Sequence, residues 1–173
     1  MTIMAVTAAQ AQAMRRPALQ AAVDTSARCA ENPDNSTDEP AEYLWFRGDG
    51  EKLAAWHLRA AYLRRYCTGC PVLEQCRELA LREGDGDIGR GDDMVRAGLT
   101  TQELGYLARE QEVRLARAVA ADRLAAEQRR AVNQAAARVT HALKPTGPVE
   151  VARSELAAAV AARRASNGWG RAA

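Results

Sequence analysis

Four cysteines are the residues of this chain whose type and spacing could do chemistry: Cys29 alone, then Cys67, Cys70 and Cys76 in the arrangement Cys-x2-Cys-x5-Cys. A Cys-x-x-Cys pair sets two sulfurs close enough to share one centre, and a third sulfur further on extends the grip. Four thiolates suit a tetrahedral zinc ion or one iron-sulfur cluster. Structural zinc sites commonly use two short paired knuckles, whereas here the fourth thiol is separated from the others by 37 residues. A distant lone thiol, with Pro71 directly after Cys70, points toward iron-sulfur ligation. Zinc, and thiol-disulfide exchange through Cys67 and Cys70, remain as alternatives. His57 and His141 are available nitrogen donors, read here as helix-surface residues.

These sulfurs need elements to hold them. Leu53, Trp56, Ala60 and Leu63 recur at three- and four-residue spacing, which predicts an amphipathic helix from Glu51 to Tyr66 that delivers the chain to Cys67. Thr68-Gly69 permits a turn, and Pro71 suits the first position of a second helix to about Arg82, with Cys70 at its cap and Cys76 in its second turn. The positive end of that helix would favour thiolates. Cys29 opens a loop, 30–40, rich in Asn, Asp, Ser, Thr and Pro, and is the residue there with a reason to be held inside.

Trp45 and Phe46, in Tyr43-Leu44-Trp45-Phe46, read as core filling or as a partner-facing aromatic patch. The Gly84–Asp93 loop carries Asp85 and Asp87. Gly89 and Arg96 stand where a calcium loop needs Asp or Asn and Glu, so the segment reads as an insertion. Thr100 or Thr101, with Glu103 completing a capping box, starts a predicted helical run to about Leu143. Lys144-Pro145-Thr146-Gly147-Pro148 breaks it, and an Ala-rich helix over Val149–Ala165 follows.

Composition bounds the whole. Of 173 residues 47% are hydrophobic, but much of that is alanine, and aromatics are 5%. Large side chains for a deep core are scarce. The expected fold is all-α: a small helical module organised around a four-cysteine cluster site at 28–107. A mobile arm at 1–27, with a transient helix near Ala8–Ala22, precedes it, and a basic extension of Ala/Arg-rich helices at 108–173 follows. The net charge of +2 divides into −5 over residues 1–113 and +7 over 114–173. The basic end suggests a polyanion-facing tail, with Arg129, Arg130, Lys144, Arg163, Arg164 and Arg171 as candidate DNA contacts.

No apolar run is long enough to span a bilayer and the N-terminus has no secretory plan, so a cytoplasmic, thiol-reducing location is expected with no membrane partner. There, clustered cysteines read as ligands rather than disulfides. A redox Cys-x-x-Cys normally accompanies a βαβ pattern, which is lacking, so the chain is read as a non-enzyme.

Cys29, then Trp45-Phe46, then Cys67-x-x-Cys70-Pro71-Val72 with Cys76, followed by a Gly-containing turn and a basic tail, resembles the WhiB-like (Wbl) proteins of actinobacteria and their phages. The resemblance covers about residues 28–107. It implies that Cys29, Cys67, Cys70 and Cys76 ligate a 4Fe-4S cluster responsive to oxygen or nitric oxide. It also implies a regulator of transcription that binds the C-terminal domain of the principal sigma factor at promoter DNA. By that resemblance Trp45, Phe46, Val95, Arg96 and Gly98 are candidate partner-binding residues. The chain departs from the pattern at the family's Gly-Val/Ile-Trp-Gly-Gly turn, where Arg96 and Ala97 replace the Trp and the first of the two Gly. The main rival from another class is a thiol-disulfide oxidoreductase using Cys67 and Cys70, and a third reading is a zinc-stapled protein-interaction module.

Overall fold

The computed structural model describes residues 6–30, 44–85, 93–143 and 148–166; the expected polar loop after Cys29 and most of the Gly84–Asp93 loop lie outside them. The described elements are α1 (Ala8–Ala13), α2 (Arg16–Ser26), a 3-10 turn (Arg28–Ala30), α3 (Leu53–Cys67), α4 (Leu73–Glu83), β1 (Val95–Arg96), β2 (Leu99–Thr100), α5 (Thr101–Glu110), α6 (Glu112–Ala142) and α7 (Val149–Ser166). Helices dominate, and the β1-β2 pair is the one sheet among the described residues. The chain forms two compact units, Met1–Ala116 and Arg117–Ala173, with the division falling inside α6.

In the first unit α4 is the hub. Its N-cap is Val72, without a side-chain cap, so the helix begins two residues later than Pro71 predicts. Pro71 and Val72 instead form a turn, closed by Leu73 N–H on the Cys70 carbonyl at 3.3 Å and by Cys76 N–H on the Val72 carbonyl at 2.8 Å. Cys70 therefore lies ahead of the cap, and Cys76 falls in the first turn. Gly84, left-handed at φ 78°, ends the helix, a conformation that glycine adopts without a Cβ penalty.

Two faces of α4 build two apolar clusters. Leu79 packs with Ala11 and Leu19, while Ala80 and Leu81 pack with Leu104 and Leu115. Burial of a leucine side chain is worth about 1.5–3 kcal/mol. Buried Glu78 accepts from Arg82 at 2.7 Å and from both terminal nitrogens of Arg114 at 2.8 and 2.9 Å, which compensates a carboxylate that would otherwise be costly to bury.

Residues 6–26 differ from the mobile arm that the sequence predicts: α1 and α2 are packed on α4. Leu19 is fully buried, and the Arg82 guanidinium donates to the carbonyls of Met14 (3.0 Å) and Gln12 (2.9 Å). Arg16 reaches Glu83 at 2.6 Å, and a Thr7–Gln10 capping box starts α1. The docking uses only Ala11 and Leu19, flanked by Val6, Met14 and Val23, so it leaves no sustained apolar period in the sequence.

Helix α3 follows its predicted pattern, with Trp56, Ala60 and Leu63 buried against Val95 and covered by Trp45. The β1-β2 hairpin, in a stretch read as the lead-in to a helix, pairs Val95 with Thr100 and Arg96 with Leu99. Its two turn residues both have positive φ, Ala97 at 51° and Gly98 at 73°, the primed turn that matches strand twist. Phe46 bridges to Met94 in antiparallel fashion, and Val95 N–H donates to the Trp45 carbonyl at 2.9 Å.

The expected capping box at Thr100 and Glu103 is present. The long helix expected from it is two helices, because Gln111 leaves the helical region at φ −114° and turns Leu115 into the cluster with Leu104. No Gly or Pro marks that break. In the second unit Ala135, Ala142 and Ala152 are buried. Ser166 donates to Gln128 at 2.7 Å and Arg138 pairs with Glu155 at 3.0 Å, setting α6 and α7 antiparallel. Among the described residues no helix is long and apolar enough to cross a membrane.

Candidate metal centre

Each cysteine comes from a different local device. Cys29 sits in the 3-10 turn after α2, and Cys67 is the last residue of α3. Cys70 follows Gly69, whose φ of 76° reverses the chain, and its N–H donates to the Cys67 carbonyl at 3.1 Å. Cys76 lies in the first turn of α4. All four are free thiols, and all four line one cavity of about 330 Å3. Trp45, Tyr66, Val95, Arg96 and Ala97 complete much of its wall.

The hairpin closes over this cavity. Gly98 N–H donates to the Cys67 sulfur, and Ala97 N–H donates to the Cys76 sulfur. Successive amides presented by a left-handed turn form a concavity suited to anionic atoms. The Arg96 guanidinium bonds the Cys76 sulfur as well.

Burial is the largest influence on Cys67, Cys76 and Cys29. It pushes Cys67 up to about 11, against the lowering bond from Gly98, with Cys76, Cys29 and Cys70 adding repulsion. Cys76 is raised by burial, with Arg96 opposing. Cys29 is also raised, by burial first, although as a residue it is exposed rather than held inside. Thiolates brought together around one cavity would repel one another unless a cationic group neutralised them.

A zinc site with Zn–S bonds of about 2.3 Å gathers its sulfurs to about 3.8 Å from one another. Among the described residues no three His, Cys, Asp or Glu are placed to hold a single metal ion. A multi-atom cluster holds its ligands further apart, and 330 Å3 is an order of magnitude more than the ~15 Å3 that one water needs. The four thiols lining this one cavity are the residues that would hold a metal centre, whether a lone ion or a cluster.

No protein-family model, curated protein or solved structure matches this chain. The site stands on its own geometry.

Of the residues expected to face a partner, Phe46 is 41% exposed, but Val95 is 3% exposed and belongs to the core. Strand alternation turns Val95 onto Trp56 and Leu63. Trp45 is partly buried on the same cluster. Arg96 is ion-paired with Glu83 at 2.9 Å and with Asp85, and Gly98 lies against Cys67. Of the candidate DNA contacts, Arg130, Arg163 and Arg164 are exposed and Arg129 half-buried; Lys144 and Arg171 lie outside the described residues. Sequence reasoning missed the sulfur-facing amides of Ala97 and Gly98. The one local signal for them is Gly98, since alanine at the first turn position is not a hairpin residue.

Proposed function

We propose that this protein is a 4Fe-4S transcriptional regulator of the WhiB-like kind, with Cys29, Cys67, Cys70 and Cys76 as ligands. The observation that carries this reading is the convergence of all four thiols on one cavity. The cluster would supply sensitivity to oxygen or nitric oxide. The chain's own residues hold the sulfurs, line the cavity with Trp45 and Val95, and offer the amides of Ala97 and Gly98 to two of the sulfurs.

Thiol-disulfide exchange fits less well. A redox Cys-x-x-Cys helix normally follows a βαβ unit, and the described residues hold one two-stranded antiparallel hairpin as their sheet. The zinc-stapled alternative uses the same four thiols and is separated by the metal analysis below.

Regulation at promoters would engage the principal sigma factor and DNA. Phe46 is the exposed member of the candidate partner surface. For DNA, the antiparallel register is informative: the Ser166–Gln128 bond sets Arg163-Arg164 beside Arg129-Arg130, so four arginines gather at one level of the hairpin. Such a group neutralises phosphates without reading bases.

The test is anaerobic purification with metal and sulfide analysis. A brown protein with about four irons and four sulfides per chain, as a cubane requires, and loss of colour in Cys76→Ser, is the expected result. A colourless protein carrying zinc instead overturns it.

A further inference from the structure

Arg96 is the residue that the proposed function leaves without a role. Its place follows from the hairpin: Val95 packs into the core beside the cavity, and Arg96 is the next residue along the strand. There it lines the four-thiol cavity. Its guanidinium is not free to swing out. Nη1 is gripped by the Glu83 carboxylate at 2.9 Å and by the Asp85 carboxylate, and Glu83 is itself held by Arg16 of α2 at 2.6 Å. Three segments thus fix one positive charge at the wall of a site built from sulfur.

We propose that Arg96 is a positioning residue for the bound cluster: a fixed cation that sets the cluster's reduction potential and slows its loss. This inference rests on the cluster reading above. The physical ground is general. Four cysteine thiolates around a cubane leave the whole anionic, and one further electron makes it more so. A nearby positive charge favours the more anionic state and therefore raises the potential. Hydrogen bonds to ligating sulfurs act in the same direction, and Arg96 reaches Cys76 in this way. Flanking it, the amides of Ala97 and Gly98 supply two dipoles to Cys76 and Cys67. Arg96-Ala97-Gly98 is a run of three consecutive donors aimed at the thiols. The two carboxylates that pin the guanidinium weaken its field but fix its direction, and a fixed charge costs no reorganisation when the electron arrives.

The experiment compares the wild type with Arg96→Met, Arg96→Lys and Arg109→Met after anaerobic reconstitution with iron and sulfide. Arg109→Met removes the same charge from an exposed face of α5, where the guanidinium lies over Tyr106. Midpoint potentials are read by spectroelectrochemistry from the visible absorption, with the electrode as the electron source. Rates of iron transfer to a chelator give a second readout. Arg96→Met is expected to shift the potential to more negative values and to speed iron loss several-fold. Arg96→Lys should recover most of the potential, and Arg109→Met should match the wild type. Equal potentials and equal iron-loss rates in the wild type and Arg96→Met overturn the inference while leaving the cluster reading intact. So does a shift in Arg109→Met as large as that in Arg96→Met. A wild type that takes up no cluster overturns the function proposed above and this inference with it. Should Arg96→Met not fold, as circular dichroism would show, Arg96→Gln replaces it under the same criteria.

Discussion

Gly98 combines a φ of 73° with a backbone so near Cys67 that an added Cβ would lie 3.3 Å from that of the cysteine. A left-handed conformation costs an ordinary residue about 1–2 kcal/mol, and the close approach forces either the hairpin or the cysteine to move. Gly98→Ala is therefore expected to lower stability by about 1–2 kcal/mol in urea denaturation of the reduced, metal-free protein. The neighbouring Ala97, already at 51°, gives the opposite control, since Ala97→Gly relieves a strain of the same kind. A Gly98→Ala variant as stable as the wild type would mean that the turn is not what positions Cys67. At this scale the cysteines were legible from sequence because thiol chemistry is carried by residue type and spacing alone. Arg96 was not. The direction of its side chain is fixed by a left-handed alanine, and no residue type announces one.

Helix α5 depends on its first turn. The Glu103 carboxyl is pushed up by burial, but bonds from the Thr100 amide and hydroxyl and from Arg64 outweigh that and hold it below the ordinary carboxylate value of 4.5. A carboxyl depressed in the folded state contributes stability that is present above its unfolded value and is lost as pH falls through the folded one. The melting temperature should thus drop on acidification below about 4.5, and Glu103→Gln, which keeps the shape of the capping box, should flatten that drop. An identical pH profile in the variant would remove Glu103 from the account. The box was readable beforehand because Thr-x-x-Glu is a local signature. The same holds for α3, where four apolar residues mark the buried stripe. The docking of α1 and α2 was not readable, since an alanine and a leucine meeting Leu79 need no periodic pattern, and neither was the break at Gln111, which tertiary packing of Leu115 imposes.

For the whole molecule the charge asymmetry acquires a location. Arginines 129, 130, 163 and 164 are brought to one level of the α6-α7 pair by the register of its polar bonds. Replacing all four with glutamine should weaken binding to duplex DNA of any sequence. It should also reduce the slope of log affinity against log salt by roughly 0.9 for each phosphate no longer neutralised. Fluorescence anisotropy across a salt series measures both. An unchanged slope would assign these arginines to a solvated helix surface. Charge clustering of this kind is only half visible in a sequence: the two Arg-Arg pairs are plain, but their meeting depends on where the chain reverses between the helices.

Cys29 lies far along the chain from the other three thiols, with 46 residues between it and Cys76. A group bonded to all four is also a cross-link. It ties the end of α2 to the start of α4, where α1 and α2 already dock through Leu19. By the loop-closure reasoning applied to disulfides, closing a loop of that size restricts the unfolded chain by an amount on the order of 4 kcal/mol. With the proposed cluster bound, the cavity would double as a clasp: its loss would loosen the N-terminal helices from the module, and a change at sulfur would be felt as a change in the effective length of the folded chain.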